Sequence, residues 1–231
     1  MARKILVIAS HPDDEVLGCG GTMARHADRG DEVHVAILAE GITSRDDKRD
    51  TAGRNDEMAL LKKAMKKAHD VLGVKSTYHH DYPDNRMDRI DQLDINKLVE
   101  SLIERISPDI IYTHHRGDVN LDHHRTHDAV VTACRPMPGN QGVREILFFE
   151  VQSSTEWQIP GSAIAFTPHW FVDISEYLET KREALRAYGS EMRDWPHARS
   201  LEAVESLARW RGSNIGVSAA EAFMLGRKLV L

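Results

Sequence analysis

The segment His11-Pro12-Asp13-Asp14-Glu15 places a histidine and three consecutive carboxylates directly after a short apolar run. Three carboxylates this close repel one another unless a positive charge holds them together, and a divalent cation would do so. His11 and Asp14 stand three positions apart, so both can reach one metal ion from a single turn while Asp13 points elsewhere. An ordinary helix start is the alternative, since Asp and Glu favour helix N-termini. A helix start requires neither the histidine nor the proline, so the segment predicts a metal site.

Histidines form a second group with possible chemistry. The chain has 13 in 231 residues, and five fall within fourteen consecutive positions: His114, His115, His123, His124 and His127. If a helix starts near Asp122, His123 lies in its first turn, His127 lies one turn later on the same face, and His124 points about 100° away. Asp122 is then expected to orient the His123 ring, as carboxylates do for metal-bound imidazoles. We predict His123 as a ligand, with Asp122, His124 and His127 as accessory residues.

His11, Asp14 and His123 together make a set of two histidines and one carboxylate. This set suits a catalytic zinc ion, which keeps one position open for water. The same set binds the iron of non-haem enzymes, so the residues alone leave Zn²⁺ and Fe²⁺ both open. A zinc site built from cysteine is excluded, because Cys19 and Cys134 are the only two cysteines and lie far apart. We expect both to be buried free thiols of a cytoplasmic protein.

The elements that position these residues alternate along the first half of the chain. Strands are predicted over 4–10, 32–39, 75–80 and 109–113, and helices over 16–28, 52–72, 91–106 and from near 122 to before 136. This alternation predicts an α/β fold with a mostly parallel sheet and helices on both of its sides. Polar clusters follow all four strands: His11 to Glu15, Glu40, 81–86 and 114–118. Because parallel strands share one carboxyl edge, we expect these clusters to meet in one pocket.

The pattern after Pro138 is less regular. Strands are predicted over 144–151 and 170–174, one of them at the sheet edge, and helices from about 176, with breaks at Pro196 and over 212–216. No repeat or linker divides the chain, so we expect a single domain over 1–231 with a mainly helical C-terminal part from about 176. Its apolar tail is a candidate interface of a homo-oligomer, and consists of Phe223, Met224, Leu225, Leu229, Val230 and Leu231.

Composition excludes several partners. The 30 Lys and Arg residues against 36 Asp and Glu give a net charge of −6, which argues against binding nucleic acid, since phosphates require concentrated positive charge. The apolar runs are far shorter than the roughly 20 residues of a membrane span. The N-terminal run is also too short for a signal peptide. We therefore expect neither nucleic acid nor a membrane span among the partners.

Two motifs identify a family resemblance. The segment from Ala9 to Glu15, followed much later by Asn120-Leu121-Asp122-His123, resembles the PIG-L/LmbE-like family of metal-dependent N-deacetylases. Arg54-x-x-Glu57 and Pro83-Asp84-Asn85-Arg86 extend the resemblance over roughly the first 135 residues. The resemblance implies a Rossmann-like three-layer α/β/α fold and zinc bound by His11, Asp14 and His123.

The resemblance also implies roles for individual residues. Asp13 would be the general base, and Arg54 and Asp84 would contact an N-acetylated amino sugar, such as N-acetylglucosamine, or its conjugate. Asn120 departs from the family pattern, because many members have a histidine there that stabilises the oxyanion. That role does not carry over, although the amide of Asn120 is a candidate hydrogen-bond donor to the substrate. His124 and Asp118 are the alternatives.

Three other functions compete with amide hydrolysis. The glycines of Leu17-Gly18-Cys19-Gly20-Gly21 and the acidic Glu40 loosely match the fingerprint of a nucleotide-dependent oxidoreductase, but the third glycine position holds Met23. The carboxylates before these glycines would also repel a pyrophosphate. A phosphoester hydrolase ranks lower because two-metal sites usually need more carboxylate ligands. A metal-binding module without catalysis would not need Asp13.

Overall fold

Strand β1 (Lys4–Ala9) lies near the middle of a seven-stranded sheet whose order is β3-β2-β1-β4-β5-β7-β6. The computed structural model describes residues 2–137 and 142–230. The other strands are β2 (Glu32–Ala39), β3 (Ser76–Tyr82), β4 (Ile110–His114), β5 (Glu145–Phe149), β6 (Trp170–Asp173) and β7 (Ala220–Lys228). Strands β1 to β5 are parallel, and β7 runs antiparallel to both β5 and β6. The predicted mostly parallel sheet is confirmed.

Helices cover both faces of this sheet. Helices α1 (Asp14–Asp28), α2 (Asn55–Val71) and α5 (Leu178–Ala187) pack on one face, and α3 (Gln92–Ile106) and α4 (Leu121–Ala133) on the other. Helix α6 (Leu201–Ser213) packs beside β7 and α5. Strand β1 shows why both faces are covered: Ile5 and Val7 point into one core and Leu6 and Ile8 into the other, as a fully buried strand requires. The Rossmann-like α/β/α architecture is confirmed.

The prediction of a helical C-terminal end was wrong. Residues Ala220–Lys228 form β7, between β5 and the edge strand β6, and Phe223 is fully buried in the core. The segment is rich in helix formers such as Ala, Glu, Met and Leu, but pairing on both edges outweighs that weak preference. Val230 follows the strand and is exposed, whereas Leu231 lies outside the described residues. A homo-oligomer stays a prediction.

Both cysteines are buried and free, as expected. None of the described helices has the length and apolar character needed to cross a bilayer.

Helix α1 is broken at Cys19, whose φ of −148° and ψ of 26° are not helical. A break frees backbone groups that must find other partners when they are buried. The Leu17 carbonyl accepts a hydrogen bond from Lys181 Nζ at 2.8 Å. On the other side of the break, Glu221 accepts from the backbone N–H groups of Gly21 and Thr22 at 3.0 and 2.7 Å. The ammonium and carboxylate also pair directly at 2.7 Å, so one buried ion pair completes both ends of the break.

The glycines around the break allow close packing. A Cβ atom at Gly21 would lie 2.8 Å from the Ile174 side chain, and one at Gly18 would clash with the ring of Phe149. Helix α1 can therefore approach β5 and the end of β6 only with glycine at these positions. These glycines therefore serve the packing of α1 against the sheet.

We expect Glu221→Gln to lower the free energy of unfolding by about 3 kcal/mol, because it leaves the buried Lys181 ammonium without its counter-charge. Urea unfolding monitored by circular dichroism measures the change. Glu179→Gln is the matched control, since Glu179 pairs with Arg182 and Arg186 on the surface, and it should leave the urea midpoint unchanged. Equal effects of the two substitutions would contradict the role assigned to the buried pair.

Candidate active site

The loops after β1, β3 and β4 converge at the carboxyl edge of the sheet. His11 follows β1, and its Nε2 lies 3.3 Å from Asp84 after β3 and 3.0 Å from Asp122 in the first turn of α4. Glu40, which follows β2, is engaged elsewhere: its two carboxylate oxygens accept hydrogen bonds from Arg49 at 2.9 and 2.8 Å. The structure thus brings three of the four polar clusters to one point.

The metal-ligand set predicted from the sequence comes together at that point. One ligand atom from each of His11, Asp14 and His123 lies within 4.8 Å of the others. Asp14 Oδ2 is 3.1 Å from both His11 Nδ1 and His123 Nε2. Among the described residues, Asp14 Oδ1 and both ring nitrogens of His123 are buried without a well-formed hydrogen bond. Buried polar atoms normally have partners, so this donor set fits a cation.

The electrostatics of the set also favour positive charge. Burial lowers the pKa of His123, but Asp14 and Asp118 outweigh it and raise this pKa to about 9. Burial likewise opposes charge on His11, yet its hydrogen bonds to Asp122 and Asp14 raise its pKa well above the usual value. The pKa of Asp14 is well below its usual range despite burial, chiefly because of His123 and His11. A divalent cation would take the place of these ring protons.

Asp122 orients His11 and not His123, contrary to the sequence-based expectation. Its carboxylate accepts from the backbone N–H groups of Asn85 at 2.7 Å and Met87 at 3.0 Å, and it lies 3.0 Å from His11 Nε2. A side chain in the first turn of a helix leans back toward the preceding loop, which takes this carboxylate to the β3 side of the site.

Asp118 fills the role that was expected of Asp122. Its Oδ2 lies 3.1 Å from His123 Nδ1, and its carboxylate accepts hydrogen bonds from Ser154 and from Thr155. His123, helped by the hydrogen bond from Ser154, keeps the pKa of Asp118 well below its usual range although burial would raise it. The loop after β5 therefore fixes the His123 imidazole through the Asp118 carboxylate.

Asp13 lies outside the candidate ligand set and has a different partner. Its backbone has a φ of 109°, in the left-handed region, which is costly for a residue other than glycine. Asp13 Oδ2 accepts a hydrogen bond from Arg199 Nη1 at 2.9 Å, while Oδ1 is buried with no partner among the described residues. Burial raises the pKa of Asp13 well above its usual value, and Arg199 opposes this rise. One oxygen is therefore fixed and the other is free to take a proton.

Glu15 stabilises the strained backbone conformation of Asp13. Its carboxylate accepts from the Asp13 backbone N–H at 3.0 Å and from the Tyr188 hydroxyl at 2.7 Å, and it lies 3.0 Å from His69 Nε2. His69 belongs to α2 and Tyr188 follows α5 directly. Two helices far apart in sequence thus hold the backbone conformation of Asp13.

The other histidines of the cluster do not join the ligand set. The ring of His114 stacks on His123 at 3.8 Å and its Nε2 accepts from the Ser10 backbone N–H at 2.9 Å. His127 Nδ1 donates to the His114 carbonyl, and His124 Nε2 donates to the carbonyl of Asp118. His114, His124 and His127 hold the loop and the ring of His123 in place.

The predicted substrate-binding residues lie in different surroundings. Asp84 borders His11, and its second oxygen accepts from the Ser44 backbone N–H at 3.1 Å. Asn120 caps α4 by accepting from Asp122 N at 2.9 Å, and its amide donates to Asn85 at 2.9 Å. Arg54 binds Asp46 and Glu57. Substrate contacts by Asp84, Asn120 and Arg54 stay predictions.

Arg199 is a residue of the candidate site that the sequence patterns did not indicate. It lies in the loop before α6, where it donates through Nη1 to Asp13 and through Nε to Ser153 Oγ at 2.6 Å. No motif surrounds it, so nothing in the sequence distinguishes it from the other surface arginines. The sequence held one indirect indication: the loop that contains Ser153, the partner of Arg199, follows a predicted strand.

Comparison with known proteins agrees with this geometry. The family model described as GlcNAc-PI de-N-acetylase (PIG-L) matches residues 6–134. An uncharacterized deacetylase of Escherichia coli, YaiS, is 29% identical over 197 residues, covering 81% of this chain and 91% of the relative. A probable N-acetyl-alpha-D-glucosaminyl L-malate deacetylase of Bacillus anthracis is 26% identical over 191 residues, covering 82% and 81%.

Among solved structures, the N,N'-diacetylchitobiose deacetylase of Pyrococcus horikoshii has a TM-score of 0.75 and 23% identity, covering 97% of this chain and 84% of that one. One relative has another activity: the 4-oxalmesaconate hydratase of Pseudomonas putida is 25% identical over 235 residues, covering 94% and 84%. The match to the family model spans more than half of the chain and includes both candidate metal-ligand motifs. The chain belongs to the PIG-L (LmbE-like) family.

Proposed function

We propose that the protein is a zinc-dependent hydrolase that removes the N-acetyl group from an amino sugar or an amino-sugar conjugate. The observation that carries the proposal is the position of Asp13 next to the His11, Asp14 and His123 set. One oxygen of this buried carboxylate has no hydrogen-bond partner among the residues that the structure describes. A site that only stores metal does not need this oxygen. The amino-sugar substrate class is supported by the family model and by the malate-conjugate deacetylase among the relatives.

When bound, the metal would supply a Lewis acid that polarises the amide carbonyl and makes water a better nucleophile. Asp122 fixes the orientation of the His11 ring, and Asp118 fixes that of the His123 ring, so both rings stay directed toward the candidate metal position. Asp13 Oδ1 accepts a proton from the attacking water and later delivers it to the amide nitrogen, whose bond to the acetyl carbon breaks. Arg199 holds the other oxygen of Asp13 throughout. The products are acetate and the free amino sugar.

A hydratase is the second candidate, favoured by the hydratase relative whose match covers 94% of this chain. Asn120 in place of the family histidine also removes one group that suits amide hydrolysis. Hydration of an unsaturated acid would use the same base and the same metal set. An assay of amine release from N-acetyl sugars, run beside loss of ultraviolet absorbance from a conjugated unsaturated dicarboxylate, separates the two functions.

The ligand assignment predicts one divalent metal ion per chain. We expect Asp14→Ala and His123→Ala to lose most of this metal, because each removes one of three protein ligands. Elemental analysis of the purified variants gives the stoichiometry. His169→Ala is the control, since His169 is exposed and lies outside the ligand set. Full metal content in both ligand variants would contradict the assignment.

The base assignment predicts that Asp13→Ala and Asp13→Asn lower kcat for amine release by about 10²–10⁴-fold, because water loses its proton acceptor. Metal content, measured in the same samples, should stay at the wild-type level. Turnover near that of the wild-type enzyme with metal bound would show that Asp13 is not the base.

Arg199→Ala should lower kcat by about 10²-fold, since the Asp13 carboxylate loses the contact that fixes its position. Arg199→Lys retains one charged donor and should recover part of the loss, with KM little changed in both variants. Arg193→Ala is the control, because Arg193 Nη1 donates to the carbonyls of Ser190 and Met192 and, within the described part of the chain, to no carboxylate. An unchanged kcat in Arg199→Ala would remove Arg199 from the mechanism.

A further inference from the structure

An open cleft lies between the loops that follow β2 and β3. Its volume is about 530 Å³, which is in the range of small-molecule sites. The cleft is lined by Asp47, Lys48, Arg49, Asn85, Arg86, Asp88 and Arg89. Four of the seven lining side chains are cationic, in a chain whose net charge is −6. We call this feature the basic cleft.

Asn85 connects the basic cleft to the candidate metal centre. Its side-chain amide donates to Asp84 at 3.0 Å, and its backbone N–H donates to Asp122 at 2.7 Å. Asp84 and Asp122 are the two carboxylates that flank His11 Nε2. Through Asn85 the basic cleft therefore adjoins the candidate metal centre, so a ligand bound at that centre would lie next to the cleft.

The cations of the cleft differ in how their charge is balanced. Glu40 neutralises Arg49 through a two-point contact. Arg86 donates to the backbone carbonyls of Asp46 at 2.8 Å and Asp47 at 3.2 Å, which orient the guanidinium without cancelling its charge.

Lys48 and Arg89 are exposed, and within residues 2–137 and 142–230 neither makes an ion pair. The lining carboxylates Asp47 and Asp88 offset only part of the remaining positive charge. An anionic group of the ligand would complete the balance, and a guanidinium fixed in advance suits phosphate or carboxylate oxygens.

We propose that the basic cleft binds an anionic group, a phosphate or a carboxylate, on the part of the substrate attached to the amino sugar. The proposal rests on the deacetylase function proposed above and narrows its substrate to acidic conjugates. A polymeric anion is disfavoured by the size of the cleft and by the acidic remainder of the chain. Lys48, Arg86 and Arg89 are then specificity-determining residues, and they do not take part in amide cleavage.

Two substrates that differ chiefly in charge test the proposal: N-acetylglucosamine 1-phosphate and the neutral methyl N-acetylglucosaminide. Wild-type kcat/KM should favour the phosphate by about tenfold at low salt, and the preference should shrink as ionic strength rises. Inorganic phosphate should inhibit turnover of the phosphorylated substrate more strongly than that of the neutral one. Equal kcat/KM values for the two substrates would overturn the proposal.

The double variant Lys48→Gln/Arg89→Gln should lose this preference through a higher KM for the phosphate, while turnover of the neutral substrate stays within about twofold. Lys67→Gln is the control, an exposed lysine of α2 that does not line the cleft. A double variant that retains the full preference would contradict the assignment of the cleft.

Calorimetry separates failure of the cleft assignment from failure of the deacetylase function. Glucosamine 1-phosphate should bind the wild-type protein more tightly than methyl glucosaminide, with the difference lost in the double variant, whether or not the protein has activity. Amine release from both substrates without a charge preference would overturn only the cleft assignment. Absence of release from either substrate would count against the deacetylase function, and equal binding of the two ligands would still reject the cleft.

Discussion

The burial of three consecutive carboxylates at the end of β1 is the constraint on which the rest of the structure depends. Asp13, Asp14 and Glu15 are all at most 1% exposed. Their charges would repel one another in a dry environment, so each requires its own partner. Asp13 pairs with Arg199, Asp14 with the histidines, and Glu15 with Tyr188 and His69. No two of the three carboxylates share these partners.

This division of partners explains why distant parts of the chain must come together. The partners of Asp14 lie in its own turn and on α4, the partner of Asp13 lies in the loop before α6, and those of Glu15 lie on α2 and after α5. Helix α1 begins at Asp14, and its break is stabilised by Lys181 and Glu221 from the C-terminal third. The C-terminal region therefore completes the site, although the family motifs end near residue 134.

The sequence was informative where a local pattern carries the structure. Apolar runs followed by polar clusters located β1 to β4 and their shared edge, and the spacing of His11 and Asp14 indicated two members of the candidate ligand set. Contacts between segments that are far apart in the sequence have no local pattern from which they could be predicted. Arg199 reaches Asp13 across 186 positions, and β7 was predicted as part of a helical region because its residues are helix formers. The exchange of roles between Asp118 and Asp122 depends on side-chain direction at the start of α4, which spacing alone does not give.

The two sides of the candidate metal centre hold different groups, the partners of Asp13 on one side and the basic cleft on the other. The strand order explains this separation. Loops after β5 and before α6 hold Asp13 through Ser153 and Arg199, on the side of the sheet where the strands become antiparallel. Loops after β2 and β3 lie toward the opposite edge and carry the basic cleft. Because β1 and β4 are adjacent in the sheet, the candidate metal ligands that follow them lie between these two sides. A substrate that spans this edge of the sheet would place its amide beside Asp13 and the rest of the molecule among the cations of the basic cleft. Amide cleavage and substrate selection would then depend on different residues and could vary independently.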